Sequence, residues 1–317
     1  MSTTFSQRVI ARLNRLFGPR NRYFESLIRS PEEALEYSIR SGRVVHEQFA
    51  GWNDFTDKVV LDFGCGTGGK TLFYAQQGPR LTVGVDIQLP IKRATEYAGA
   101  RRLKVEFLPL AENGRIPLPA CSCDVVINSS VLEHLPDPAQ TFRELRRILK
   151  SDGLLLNRWH PFRSRYGAHL WSAIGIPFAH LCFREADLVQ VYHRTLQNRF
   201  GAIPAGVGNV TTESRTFSDL TYNLNRFSVR RMRETLEQAG FSLLERRYYV
   251  GTRRVRYPRL LPETCVDYVI DYEIQICGLG KKVRTVAASL SRNLTAIHET
   301  VPLCAEEVCT TRCRLTH

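Results

Sequence analysis

The chain has 317 residues, 43% of them hydrophobic and 24% charged, a balance that supplies a globular core and excludes a disordered or fibrous chain. No run of 18 or more uninterrupted apolar residues occurs, so no spanning helix is expected. The net charge of +13 leaves an anionic surface or acidic substrate open, but the arginines are spread out with no basic block interleaved with aromatics, so a nucleic-acid groove is not indicated.

The first predicted element is a helix over 5–17. It puts Phe5, Val9, Leu13 and Leu16 on one face beside Arg8, Arg12 and Arg15, and Gly18-Pro19 stops it. Such a helix either packs on its own domain or contacts a membrane surface peripherally. Residues 31–56 read as polar and helical. A βα alternation follows, with strands at 58–63, 81–86, 103–108, 123–128 and 154–159 and helices at about 68–78, from about 90, and at 138–150. The strands are apolar on both faces, as in a parallel sheet covered by helices.

The alternation then breaks. Residues 160–225 are rich in aromatics and histidine and show no βα pattern. It resumes with a helix at about 228–239, a strand at 241–250 and a last strand at 268–279. Two successive strands without a helix between them point to an antiparallel pair at the sheet end. Residues 281–317 are polar and read as a loosely held tail. Nine scattered cysteines without a C-x-x-C pair point to a reducing, cytoplasmic interior, with Cys304, Cys309 and Cys313 read as free thiols of the tail. The N-terminus lacks the apolar core of a secretory signal.

The chemistry starts at "VVLDFGCGTGGKT" (59–71), a strand that turns through glycine into a helix. Gly64, Gly66 and Gly69 fit a dinucleotide fingerprint, with Asp86 placed for a ribose hydroxyl. Asp62 argues against that ligand, because a carboxylate two residues ahead of Gly64 would repel a pyrophosphate. A ligand with a positive amino-acid head and a sulfonium, and no phosphate, would welcome it. S-adenosyl-L-methionine is such a ligand, and Gly64 and Gly66 let the backbone approach it closely.

Four ordered stretches carry a resemblance: "VLDFGCGTG", "GVDI" (84–87), "AENGRIPLPACSCDVVINSSVLEHLPDP" (111–138) and "LKSDGLLL" (149–156). With them the chain resembles the class I S-adenosylmethionine-dependent methyltransferases of the domain 11 type, clearly over 40–160 and again at 224–241. The resemblance implies a Rossmann-like, seven-stranded, mostly parallel sheet with an antiparallel last strand and a cap inserted after the fifth. The expected division is a helical extension at 1–39, the methyltransferase domain at 40–280 with 160–225 as substrate cap, and the tail. The cofactor-binding set it implies is Asp62, Gly64, Cys65, Gly66, Gly68, Asp86, Ile87, Ala111, Glu112, Asn128 and Ser129. Leu110 or Glu112 occupies the place where the family usually has an Asp at the adenine.

Methyl transfer needs a nucleophile in line with an activated methyl, and an oxygen nucleophile also needs a base. His134, just after the fourth strand, is the candidate base; Tyr166 and His169 in "WHPFRSRYGAHLWSAIGIPFAHLCF" (159–183) are expected to contact and orient the acceptor for catalysis, with His160, Arg165 and His180 near them. His169 and His180 are not spaced as a helical metal pair and no carboxylate joins them, so no metal is expected. The acceptor is expected to be a small molecule or a lipid- or sugar-linked one, methylated at an oxygen, nitrogen or carbon nucleophile. Rival readings are methylation of RNA or protein, and a SAM-binding partner subunit without activity.

Overall fold

The computed structural model describes residues 3–18, 30–89, 91–203, 211–219, 224–251, 253–256 and 262–279. Its centre is a sheet of strands β1 (Val59–Phe63), β2 (Leu81–Asp86), β3 (Val105–Pro109), β4 (Cys123–Ser129), β5 (Leu149–Trp159), β6 (Ser242–Val250), β7 (Arg253–Val255) and β8 (Tyr272–Gly278). Their order is β3-β2-β1-β4-β5-β8-β6-β7. Strands β1 to β5 pair in parallel, and β8 runs antiparallel between β5 and β6. The antiparallel pair expected at the sheet end is therefore β6 and β8. The eighth strand, β7, pairs with the end of β6. At three residues it is too short to show a period in the sequence.

Both faces are covered, which is why the central strands carry apolar residues at nearly every position. On one face α2 (Pro31–Gln48) and α3 (Gly69–Ala75) pack Val45, Phe49, Phe73 and Tyr74 on Val60, Ile127, Leu156 and Ile276. On the other, α5 (Pro138–Ile148) and α8 (Val229–Gln238) pack Phe142, Leu145, Met232 and Leu236 on Leu61, Phe63, Val126 and Leu155. Helix α4 (Lys92–Ala100) joins Leu35 and Leu72 in a smaller cluster. A Ser30–Glu33 capping box and Pro31 at the first turn start α2. It then runs unbroken through residue 40, so a boundary at 39 cuts one element rather than separating two.

The segment after β5 leaves the sheet and builds its own core. Helices α6 (Ala179–Cys182) and α7 (Glu185–Phe200) bury Leu188, Val189, Val191, Tyr192 and Leu196 with Leu170, Ile174 and Phe217. The helical period of α7 was present at Leu188, Val191, Tyr192 and Leu196, but the aromatic and histidine content of the segment hid it. Helix α1 (Phe5–Phe17) completes this core, with Ile10 fully buried in it. Asn14 donates to Ala173 O at 2.7 Å and accepts from Gly175 N at 2.9 Å, and Thr4 Oγ1 donates to Asp187 at 3.0 Å. The N-terminal helix therefore packs on the cap. Residues 281–317, with Cys304, Cys309 and Cys313, lie outside the described residues, and no described helix is long and apolar enough to cross a membrane.

Candidate active site

The chain leaves β1 through Gly64 (φ 74°), Gly66 (φ 54°) and Gly68 (φ 80°), left-handed positions that favour glycine. The Gly64 and Cys65 amides both donate to Val85 O, at 2.8 and 3.1 Å, tying the turn to β2. Asp86 ends β2 and closes the turn from the other side. Its Oδ2 accepts from the Gly66 amide at 2.8 Å and its Oδ1 from the Gln88 amide at 3.1 Å. A Cβ on Gly66 would meet nothing within 4 Å, so the turn opens to space there, and the neighbouring Ile87 is 67% exposed. Cys65 is buried, and burial pushes its thiol up, which makes it a packing residue rather than a nucleophile.

Asp62 lies within β1 and is buried, accepting from Thr71 Oγ1 at 2.7 Å. Burial raises its carboxyl above the usual range, while Lys70 and Thr71 pull it down. Lys70 was not anticipated, because a lysine in the first turn of a helix reads as solvated. It is half-buried instead, its Nζ donating to Ser129 O at 3.2 Å. Burial lowers its pKa, and Asp62 opposes that. The signal available in the sequence was a lysine directly after the glycine turn, one position before the threonine that holds Asp62.

Asn128 and Ser129, expected to act together, face opposite sides of the sheet. Asn128 is in register with Phe63 and with Asn157, on the α5/α8 face. Ser129 shares the face of Asp62, two positions beyond Ile127. Both are buried, and the side-chain polar atoms of Asn128, Ser129 and Asn157 have no hydrogen-bond partner in the structure. Ala111 departs from expectation: its amide donates to Arg115 O at 3.2 Å within a tight turn, leaving no donor for an adenine. Glu112 is exposed at the tip of that turn.

After β4 a single 3-10 turn, Leu132–His134, carries Glu133 and His134. The returning chain straps it down, with the Asn225 amide donating to Glu133 O at 2.9 Å and Asn225 Nδ2 to Leu135 O at 3.2 Å. The cap lowers His169 onto this turn, its ring 5.0 Å from His134, 5.6 Å from His160 and 4.6 Å from Trp171. His169 Nε2 stands 3.9 Å from Glu133 Oε1. A carboxylate does therefore reach a cap histidine, contrary to expectation, because the segment after β5 folds back over the end of β4. Burial pushes Glu133 up to about 7 against the pull of its own amide, Arg158, the His160 amide and Lys70. Burial likewise lowers His160 to about 3, helped by Arg158, and lowers His169 well below its usual value. Tyr166 is half-buried and packs under the Arg165 guanidinium, 5.0 Å from its ring centre. Arg165 pairs with Asp271 at 2.6 Å, and His180 bonds Phe162 O at 2.7 Å, so both serve the cap's own structure.

Residues 61–157 match the family described as Methyltransferase domain. A probable S-adenosylmethionine-dependent methyltransferase of Mycobacterium tuberculosis is 36% identical over 121 residues, 38% of this chain and 41% of the relative. A ubiquinone biosynthesis O-methyltransferase of Haemophilus ducreyi is 34% identical over 108 residues, 32% of this chain and 45% of the relative. The chain thus spans less than half the length of these relatives. Among solved structures, an S-adenosylmethionine-dependent methyltransferase from Mesorhizobium loti aligns with a TM-score of 0.44 and 15% identity, covering 78% of this chain and 99% of the other. The similarity to the methyltransferase-domain family is carried by residues 61–157, which run from β1 into β5 of the mostly parallel sheet.

Proposed function

We propose that the protein transfers a methyl group from S-adenosyl-L-methionine to a hydroxyl of a small-molecule or lipid-linked acceptor enclosed between sheet and cap. The observation that carries the reading is the turn Gly64–Gly68 with Asp86 closed on its Gly66 amide and Asp62 buried in the strand below. The residues fit the cofactor. The turn opens to space at Gly66, Ile87 offers an exposed apolar face for the adenine, and each Asp86 oxygen keeps a second lone pair for a ribose hydroxyl. The unpartnered Ser129 hydroxyl and the Asp62 carboxyl supply polar contacts for the amino-acid end. Asn128 faces the other side of the sheet and takes no part.

When bound, the cofactor supplies a methyl on a sulfonium leaving group. What this chain adds is position and dryness. The cap's apolar core excludes water above the carboxyl edge of the sheet, where such folds bind ligands. His134 and His169, neighbours across the joint, are placed to orient an acceptor hydroxyl and take its proton. Burial keeps His169 neutral, the form that accepts. The O-methyltransferase relatives support an oxygen nucleophile. We further infer that the outer face of α1, with Arg8, Arg12 and Arg15 exposed beside Phe5 and Leu16, rests on an anionic membrane surface.

Calorimetry tests the reading. S-adenosyl-L-methionine should bind and NADH should not, and Asp86→Ala should weaken binding about tenfold or more, the worth of one or two hydrogen bonds to a charged acceptor. Binding of NADH alone would overturn it.

A further inference from the structure

The two histidines have a third neighbour. The ligand atoms of Glu133, His134 and His169 all lie within 4.8 Å of one another. Glu133 is 3% exposed, its own amide and that of His160 face the carboxylate without reaching hydrogen-bond geometry, and neither carboxylate oxygen nor the buried His169 Nε2 has a hydrogen-bond partner. The gap of 3.9 Å between them is too long for a hydrogen bond, so the pair does not satisfy itself. His169 also holds a left-handed backbone at φ 57°, which costs a residue with a side chain on the order of 1 kcal/mol and recurs at functional sites. The Glu133 main chain is fixed from behind by the Asn225 amide, and the His169 imidazole packs against Trp171.

We propose that Glu133, His134 and His169 bind one divalent transition-metal ion, zinc by preference, at the joint between the sheet edge and the cap. Two imidazoles and a carboxylate are the donor set of an open zinc site, whereas calcium and magnesium take oxygen ligands. Bonds of about 2.0–2.2 Å put zinc ligands roughly 3.4 Å apart, so a contraction of at most about 1.4 Å closes the site. The cap can supply it, because His169 sits on a loop and the other two ligands sit on the strapped turn. Lys70 and Arg158 are the cations that already face Glu133, and the ion competes with them. With the ion bound, the two imidazoles hold it instead of taking the acceptor's proton: three protein ligands leave one position open, toward the space assigned above to the acceptor, where an acceptor oxygen would be held and its proton made easier to lose. That role rests on the methyltransferase reading; binding of the ion does not.

The test uses the full chain, stripped with a chelator and titrated with Co²⁺ in the absence of S-adenosyl-L-methionine, followed by displacement with Zn²⁺. One equivalent should bind, with a Zn²⁺ Kd of about 1 μM or below, and His169→Asn and Glu133→Gln should each weaken it about 100-fold. Asparagine tolerates the left-handed backbone and glutamine keeps the shape of Glu133, so both variants should melt near the parent. His193→Ala, on α7, should titrate like the parent. No cobalt band, unchanged affinity in both variants, or a thiolate charge-transfer spectrum that persists in them would overturn the proposal. Cofactor calorimetry on the same preparations reads the methyltransferase assignment separately.

Discussion

At the scale of single residues, the glycine turn separates two jobs that the sequence motif presents as one. A Cβ on Gly64 would lie 2.2 Å from Val131 Cγ2 and 2.9 Å from its Cγ1, at a φ of 74°. A Cβ on Gly66 would meet nothing, at a φ of 54°. Gly64→Ala should therefore combine backbone strain with overpacking and lower stability by about 2–4 kcal/mol. Gly66→Ala should cost only the strain, about 1–2 kcal/mol, yet weaken cofactor binding, because its methyl enters the space over Asp86. Denaturant melts and calorimetry on both variants check this; a Gly66→Ala protein that binds as well as the parent would remove the turn's lip from the cofactor site. The motif made Asp62, the glycines and Asp86 legible, since each has a fixed offset from a strand end. Glu133, Lys70 and Asn225 were not legible. Their roles come from burial and from the return of a distant segment, neither of which leaves a local spacing.

At the scale of elements, α1 shows how one helix can satisfy two readings of its sequence. Its inward face, Ile10 and Asn14, is sealed into the cap core. Its outward face keeps Phe5 75% and Leu16 78% exposed, with Arg8, Arg12 and Arg15 around them. Deleting the helix would open the cap, so charge reversal is the cleaner probe. The triple variant Arg8→Glu, Arg12→Glu, Arg15→Glu should sediment less with anionic vesicles by about tenfold or more, at roughly 1 kcal/mol per basic residue, with an unchanged melt. The parent's binding should fall as salt rises. Equal sedimentation of parent and variant would leave α1 a cap helix only. The helix itself was legible from its period and its Gly-Pro stop, as were the sheet strands from their apolar runs. Which body it packs on was not, because the aromatic and histidine content of the receiving segment masks the helical period of α7.

At the scale of the whole molecule, the sheet that carries the site also buries charge at its antiparallel end. Glu273 on β8 is fully buried among Arg246, which donates at 2.7 Å, Trp159 at 3.2 Å and Gln275 at 2.9 Å, with Asp267 adding a like charge. Burial pushes its carboxyl from 4.5 up to about 7, ahead of the opposing pull of Arg246 and Trp159. The folded state then holds a proton that the unfolded chain has released, in the window between those two values. Stability from this group is complete at the acid end of the window and is lost as pH rises through it. His160 has the opposite sign, because its pKa is lowered from 6.5 to about 3 and its neutral form loses ground as pH falls. A parent melting curve against pH mixes the two effects, so the informative quantity is a difference. Glu273→Gln keeps the shape and removes the proton. Its Tm relative to the parent should therefore be more favourable above the window, where the parent carries a buried carboxylate, than below it, where the parent is neutral as well. Thermal melts of both proteins at about pH 4 and about pH 8, on either side of the window, measure it. A Tm difference that does not change with pH would mean that Arg246 holds Glu273 ionised throughout, and that the sheet end is stabilised by an ion pair rather than by a buried acid.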